Sequence, residues 1–313
     1  MSSSAPGPVV AAIEAGGTKI VCGVGAGPDA IDALAEIPTR APDTTLAAII
    51  DFFRDALAGA PAVRHLGIGT FGPVELDTEA AGYGHFKRTP KAGWSGVDLV
   101  GPLEDALGLA VSLDTDVNAA ALAEHRFGAA RGLGNVVYIT VGTGVGVGVL
   151  VDGESRRRPA HPEAGHMLIP RAADEPDDFP GHCPFHGDCV EGLASGAALV
   201  ERFGARLGDL PAEHEAWRLE ADYLASLCQN LTLALQPDRI VIGGGVSRPA
   251  LLDRIRERLH ERLAGYESRL AGAAEVANYL VTPALGAQAG LLGAIALAQD
   301  AALAALRRVS PRG

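Results

Sequence analysis

Residues 9–24 read Val9-Val-Ala-Ala-Ile-Glu-Ala-Gly-Gly-Thr-Lys-Ile-Val-Cys-Gly-Val24. An apolar run stops at Glu14-Ala-Gly-Gly-Thr-Lys19 and resumes at Ile20, the pattern of two strands joined by a glycine turn. The same plan returns at Val136-Val-Tyr-Ile-Thr-Val141, which meets Gly142-Thr-Gly144 and continues as Val145-Gly-Val-Gly-Val-Leu-Val151. Two hairpins of one design predict two related half-molecules with similar nucleotide-handling edges.

The rest of the chain fits around them. Its 313 residues suit two domains, each with its own core. A net charge of −12 disfavours DNA, RNA and anionic membranes, since binding to polyanions draws on basic side chains. Met1–Pro8 has no basic region and no long apolar run, so no signal peptide is expected there, and Gln299 and Asp300 interrupt the apolar stretch 289–306. A soluble, cytoplasmic protein is the expectation. The pattern predicts helices over 46–58, 119–127, 212–235 and 249–263, strands over 65–69, 110–113 and 239–242, and a Gly/Pro-rich loop over 71–96. Residues 154–192 are polar and without period, and so long an irregular stretch is expected to be functional or pinned by something.

Glycine lets backbone N–H groups approach phosphate oxygens closely. Three loops offer this: Gly16-Gly17-Thr18-Lys19, Gly142-Thr143-Gly144 and Gly243-Gly244-Gly245. None has P-loop or dinucleotide-fingerprint spacing, and a tight turn is the competing reading of each. In the first, Glu14 could meet Mg²⁺ while Thr18 and Lys19 add contacts to ATP; an exposed strand pair of Glu14 and Lys19 is the alternative. Asp114-Thr-Asp116-Val-Asn118 joins a strand to a helix. A carboxylate there can take the proton of an attacking hydroxyl, and Asp116 is the candidate, with helix capping as its competing role. Cys183-Pro-Phe-His186-Gly-Asp-Cys189, with His166 as fourth donor, suits a closed tetrahedral Zn²⁺ site; a Cys183–Cys189 disulfide or unliganded side chains are the alternatives. Cys22 and Cys228 read as buried apolar fillers.

Together, Glu14–Lys19, Asp116-Val-Asn118-Ala-Ala-Ala-Leu-Ala-Glu124, Thr143-Gly-Val-Gly146, His161-Pro-Glu-Ala-Gly-His166, Cys183–Cys189 with Glu191 following, and Ile242–Val246 resemble the ROK family of sugar kinases and repressors, most closely its bacterial fructokinase branch. The resemblance implies two actin-like or hexokinase-like (ribonuclease H-like) α/β domains with ATP and sugar in an interdomain cleft. It divides the chain into residues 8–118, with a C-terminal helix of about 296–313 packing back on them, and residues 119–295, with a zinc segment at 161–192. It makes Asp116 the catalytic base, and places Glu163, His166, Glu191 and Asn118 at the sugar. The three glycine loops then hold ATP with Mg²⁺, and the family habit is a homodimer.

Glu14 in place of Asp, Thr115 in place of Asn and His186 in place of a third zinc cysteine separate this chain from the usual glucokinase pattern. Thr89-Pro-Lys-Ala-Gly-Trp94 also resembles the fructokinase branch, near the sugar, with loop packing as the other reading of Trp94. Phosphorylation of fructose at its 6-hydroxyl is therefore expected, with mannose or another hexose as alternative substrate. A sugar-responsive repressor, or a noncatalytic sugar-binding protein, is the competing class. A repressor would need a DNA-binding module ahead of the first glycine loop, where only about a dozen residues stand.

Overall fold

The computed structural model describes residues 7–309 except 60, 61, 90, 158, 159, 173, 176, 177, 246 and 247. The opening hairpin forms as the sequence predicts: β1 (Val10–Ala15) pairs antiparallel with β2 (Lys19–Gly27) around the glycine turn. β3 (Ala30–Pro38) adds to β2, while β4 (His65–Thr70) and β5 (Ala110–Thr115) extend the other side in parallel, giving the order β3-β2-β1-β4-β5.

The second hairpin seeds the same arrangement. β6 (Val136–Val141) pairs antiparallel with β7 (Val145–Val151), β8 (Glu154–Ser155) adds outside β7, and β9 (Arg239–Gly243) and β10 (Leu280–Val281) lie on the other side of β6, parallel to it and to each other. The order β10-β9-β6-β7-β8 repeats the first sheet strand for strand.

The faces of the first sheet differ in residue size. Ile13, Cys22, Leu66 and Ile68 belong to a core with α1 (Pro42–Leu57) and α2 (Gly101–Leu107). The opposite face carries Ala12, Gly23, Gly67 and Gly69, alternate residues by the period of two along each strand. A β-carbon on Gly67 would run into the Ala294 carbonyl, and one on Gly69 would meet Ala119. The small face lets α3 (Asp116–Arg126) and α9 (Ala289–Val309) come in close, with Gly293 of α9 against the Ala119 backbone. α9 is long and apolar enough to cross a membrane by composition; here its apolar side lies on β1 and β4, and Gln299 donates to the carbonyls of Pro8 and Ala26.

The second core gathers β6, β7 and β9 with α4 (Val190–Ala194), α5 (Gly196–Phe203), α6 (Glu215–Leu235), α7 (Pro249–Leu263) and α8 (Ala273–Tyr279).

The chain divides into two compact units, residues 1–127 with 155–161 and 287–313, and residues 128–154 with 162–286. A boundary at 118/119 would cut α3, whose residues pack as one body against β4 and α9, so the first unit keeps that helix through Phe127. α9 likewise enters from residue 289 and not 296, and residues 310–313 lie outside the described residues. β3 is an element the sequence reading omitted. Its signal is a period of two, with Ile31, Ala33, Ala35 and Ile37 turned partly inward and Asp32 and Glu36 outward.

Candidate functional site

In the first unit, Ala15, Thr70 and Thr115 are register partners across β1, β4 and β5. The glycine turn after β1, the loop after β4 and Asp116 after β5 therefore leave the sheet at one level, at the carboxyl ends of parallel strands where ligands of open α/β sheets bind. Thr115, not Asp116, caps α3: its Oγ1 accepts from the Asn118 backbone N–H at 3.2 Å. Asp116 is thus the first helical residue, half-buried, with Oδ1 accepting from the Val117 N–H at 2.9 Å. The first turn of a helix favours a carboxylate there.

Beneath it, Asp114 is 2% exposed. Its Oδ1 accepts from the Thr115 N–H and from Asn118 Nδ2, both at 2.8 Å, and Oδ2 from Ser155 Oγ at 2.5 Å. Asn118 is buried with its amide on Asp114, which makes it a support of the strand-to-helix junction where a sugar contact was expected.

The first glycine turn closes through Gly16 N–H donating to the Lys19 carbonyl at 2.9 Å. Thr39 braces it, its Oγ1 donating to the Gly16 carbonyl and its N–H to the Thr18 carbonyl. Gly17 and Thr18 are exposed. Two expected contacts at this turn are engaged elsewhere. Lys19 pairs with Glu36 of β3 at 2.6 Å, and that carboxylate holds the ammonium above the usual lysine value. Glu14 lies against Gly290, its carboxylate accepting from the Leu291 N–H at the start of α9; burial raises its pKa despite the nearby Lys19. A carboxylate held this way is a poor fit for a Mg²⁺ ligand. The cation that does reach the turn is Lys91, which sequence reading did not single out: Nζ donates to the Gly17 carbonyl at 2.5 Å and to the Thr39 carbonyl at 3.4 Å. Trp94, three residues on, is fully buried against Phe71 and Phe86 and donates Nε1 to the Arg40 carbonyl, so it is packing.

In the second unit, the loops Gly142-Thr143-Gly144 and Gly243-Gly244-Gly245 follow β6 and β9 at neighbouring carboxyl ends. Gly244 has φ +94° and lies against the Val141 backbone, where a β-carbon has no room. Val246 lies outside the described residues. Glu191 on α4 meets the first of these loops, its Oε2 accepting from the Val145 N–H at 3.1 Å and its Oε1 standing 3.9 Å from His166 Nδ1. Glu163, exposed, precedes a single 3₁₀ turn (Ala164–His166) whose Gly165 packs on the Val145 carbonyl.

His166, Cys183, His186 and Cys189 bring one donor atom each within 4.8 Å of one another. His166 Nδ1 stands 3.6 Å from both sulfurs, and Cys183 Sγ 3.8 Å from His186 Nδ1. A tetrahedron with Zn–S of about 2.3 Å and Zn–N of about 2.0–2.1 Å has S–N edges of roughly 3.5 Å, so these three separations are close to those of a Zn²⁺ site. Burial pushes the Cys189 thiol up to about 11, a cost that ligation of a cation reverses. Both cysteines are free thiols, which removes the disulfide alternative, and His182 turns away to Glu201. Cys22 and Cys228 are buried, each thiol pushed up to about 12 by desolvation.

Comparison with known proteins agrees with this geometry. Residues 10–301 match the ROK family. The chain is 42% identical over 290 residues to a fructokinase of Zymomonas mobilis, covering 91% of this chain and 95% of that protein. A ROK hexokinase from Thermus thermophilus superposes with a TM-score of 0.77 at 28% identity, over 95% of this chain and 100% of that one. A ROK glucokinase from Streptomyces griseus, solved with glucose and AMPPNP, gives 0.70 at 27% identity, over 94% and 100%. With the glycine turns, the strand-end Asp116 and the two-Cys, two-His cluster all present, the chain belongs to the ROK family of sugar kinases.

Proposed function

We propose that this chain transfers the γ-phosphoryl group of Mg-ATP to the 6-hydroxyl of D-fructose. The observation that carries the reaction is Asp116, half-buried on the first turn of α3 and level with the Gly16-Gly17 turn across β1, β4 and β5. Its carboxylate accepts the hydroxyl proton as the sugar oxygen attacks phosphorus, and backbone N–H groups of the glycine turn meet the charge on the phosphate oxygens. Asp114 and Asn118 hold the junction that aims Asp116. Gly142–Gly144 and Gly243–Gly245 are the other nucleotide segments, and Glu163, His166 and Glu191 the sugar contacts, as the family pattern carries them over. His166, Cys183, His186 and Cys189 would hold Zn²⁺, which supplies a fixed geometry to the irregular segment.

Fructose as acceptor rests on the 42% identity to the Zymomonas mobilis fructokinase, against 27% to the glucose-bound structure. The test is a coupled ADP-release assay of the full chain with fructose, mannose, glucose and N-acetylmannosamine. The highest kcat/KM with fructose is expected; glucose or mannose far ahead of fructose would overturn the assignment of the sugar. A homodimer belongs to the same proposal, and a monomer by sedimentation would refute it.

A further inference from the structure

A turn of backbone N–H groups gains most at a phosphate from a cation without a counter-ion of its own, since a paired ammonium must first leave its partner. Lys19, the lysine within the turn, is paired with Glu36 on the β2–β3 edge, both side chains more than half exposed at 57% and 62%. Lys91 stands otherwise. Its Nζ bonds two carbonyls, Gly17 and Thr39, and among the described residues no carboxylate pairs with it.

Its backbone is fixed at both sides. Thr89 Oγ1 donates to the Gly72 carbonyl at 3.1 Å and accepts from the Lys91 N–H at 3.4 Å, tying the segment to the loop after β4. The Trp94 N–H donates to the Lys91 carbonyl at 3.2 Å, and the buried Trp94 ring anchors that end in the aromatic core. Thr39, the second carbonyl under Nζ, is itself bonded to the glycine turn through its N–H and its hydroxyl. An ammonium has three N–H donors. Two are held by carbonyls that belong to the turn or brace it, which leaves one.

We propose that Lys91 is the cation that contacts the phosphoryl group during transfer, the task the sequence pattern offered to Lys19. This rests on the kinase reading above. The two carbonyls fix the ammonium before substrate arrives, so the charge that grows on the phosphate oxygens meets a donor that need not reorganise.

The test compares Lys91→Met, Lys91→Arg, Lys19→Met and, as a surface control, Lys87→Met, whose ammonium pairs with Glu75 at 3.0 Å. Steady-state kinetics, Mg-AMPPNP and Mg-ADP binding, and thermal unfolding are read for each full-length protein. For Lys91→Met, kcat is expected to fall by about 10²–10³-fold with the sugar KM within about threefold of the parent, and Lys91→Arg to recover at least tenfold of the loss. Lys91→Met should also bind Mg-AMPPNP more weakly than the parent while its Mg-ADP affinity changes less, at an unfolding temperature like that of Lys87→Met. Lys19→Met should lose less than Lys91→Met. The proposal falls if Lys91→Met behaves like Lys87→Met in rate and binding. It also falls if Lys91→Met loses activity only with its unfolding temperature and Lys91→Arg restores nothing, which is the behaviour of a structural latch. If the parent phosphorylates no sugar of the panel, the kinase reading fails, and Lys91 is judged by nucleotide binding alone: equal Mg-AMPPNP affinity of Lys91→Met and the parent overturns it.

Discussion

Asp116 stands one residue past the cap of its helix, and that single step separates its chemistry from its packing. Because Thr115 takes the capping bond, Asp116→Asn removes the proposed proton acceptor without uncapping α3. The expected result is a fall in kcat of about 10²–10⁴-fold in the coupled assay, with an unchanged thermal unfolding curve; a near-parental rate removes the assignment. Glu220 gives a second prediction at this scale. It is fully buried on α6, neither carboxylate oxygen has a partner, and burial raises its pKa well above 4.5. The folded state therefore holds a proton that the unfolded state has released, and this group's contribution to stability falls as pH rises from its ordinary value through the raised one. Glu220→Leu should stabilise the protein at pH 8 by about 1–3 kcal/mol in urea unfolding, with the gain shrinking toward pH 4. A gain independent of pH would show that the acid is not the cause. Of these residues, Asp116 was legible because a strand end, a turn and a helix start are local patterns. Glu220 was not, since a helical pattern does not say which polar position the neighbouring elements cover.

At the scale of elements, the irregular stretch of residues 154–192 needs anchors, because it has few repeating backbone bonds of its own. One is the Cys/His cluster. Another is a set of charges: Arg171 donates to Glu175 at 2.6 Å, Arg202 of α5 stands 3.5 Å from the same carboxylate, and the Tyr223 hydroxyl of α6 donates to it. The Arg202 side chain is 2% exposed, so Glu175→Ala would remove a carboxylate that faces a buried guanidinium. A loss of about 3–5 kcal/mol is expected in urea unfolding, and a loss below about 1 kcal/mol would show that the Glu175 charge does not anchor the segment. The cysteine and histidine spacing was readable in the sequence. Glu175 was not, because its partners are 4, 27 and 48 positions away and only folding brings them to it.

For the whole molecule, the repeated strand order ties the two hairpins of the sequence to two sheets of one topology. The metal prediction belongs here, since the cluster pins a long segment onto the second core. Metal analysis of the folded protein is expected to find about one zinc per chain, and strong chelation to lower the unfolding temperature; folded, active protein without metal would refute the site. The sequence by itself determined what depends on near neighbours. The glycine turns between apolar runs, Asp116 at a strand-to-helix junction, the x₂ spacing of Cys183, His186 and Cys189, and the family pattern are all written in short stretches of chain. Only the tertiary structure decided what depends on distant ones. Glu14 is drawn to the first turn of α9 and Lys19 to Glu36 across a strand pair, while Lys91 comes to the turn those two were expected to serve, and Asn118 goes down onto Asp114. The physical reason is that a charged or polar side chain goes to whichever partner folding brings within about 3 Å, and that partner is set by sheet register and helix packing, which no short window of sequence contains. The small residues Gly67, Gly69 and Gly293 have the same origin: α3 and α9 lie against β4 and against each other.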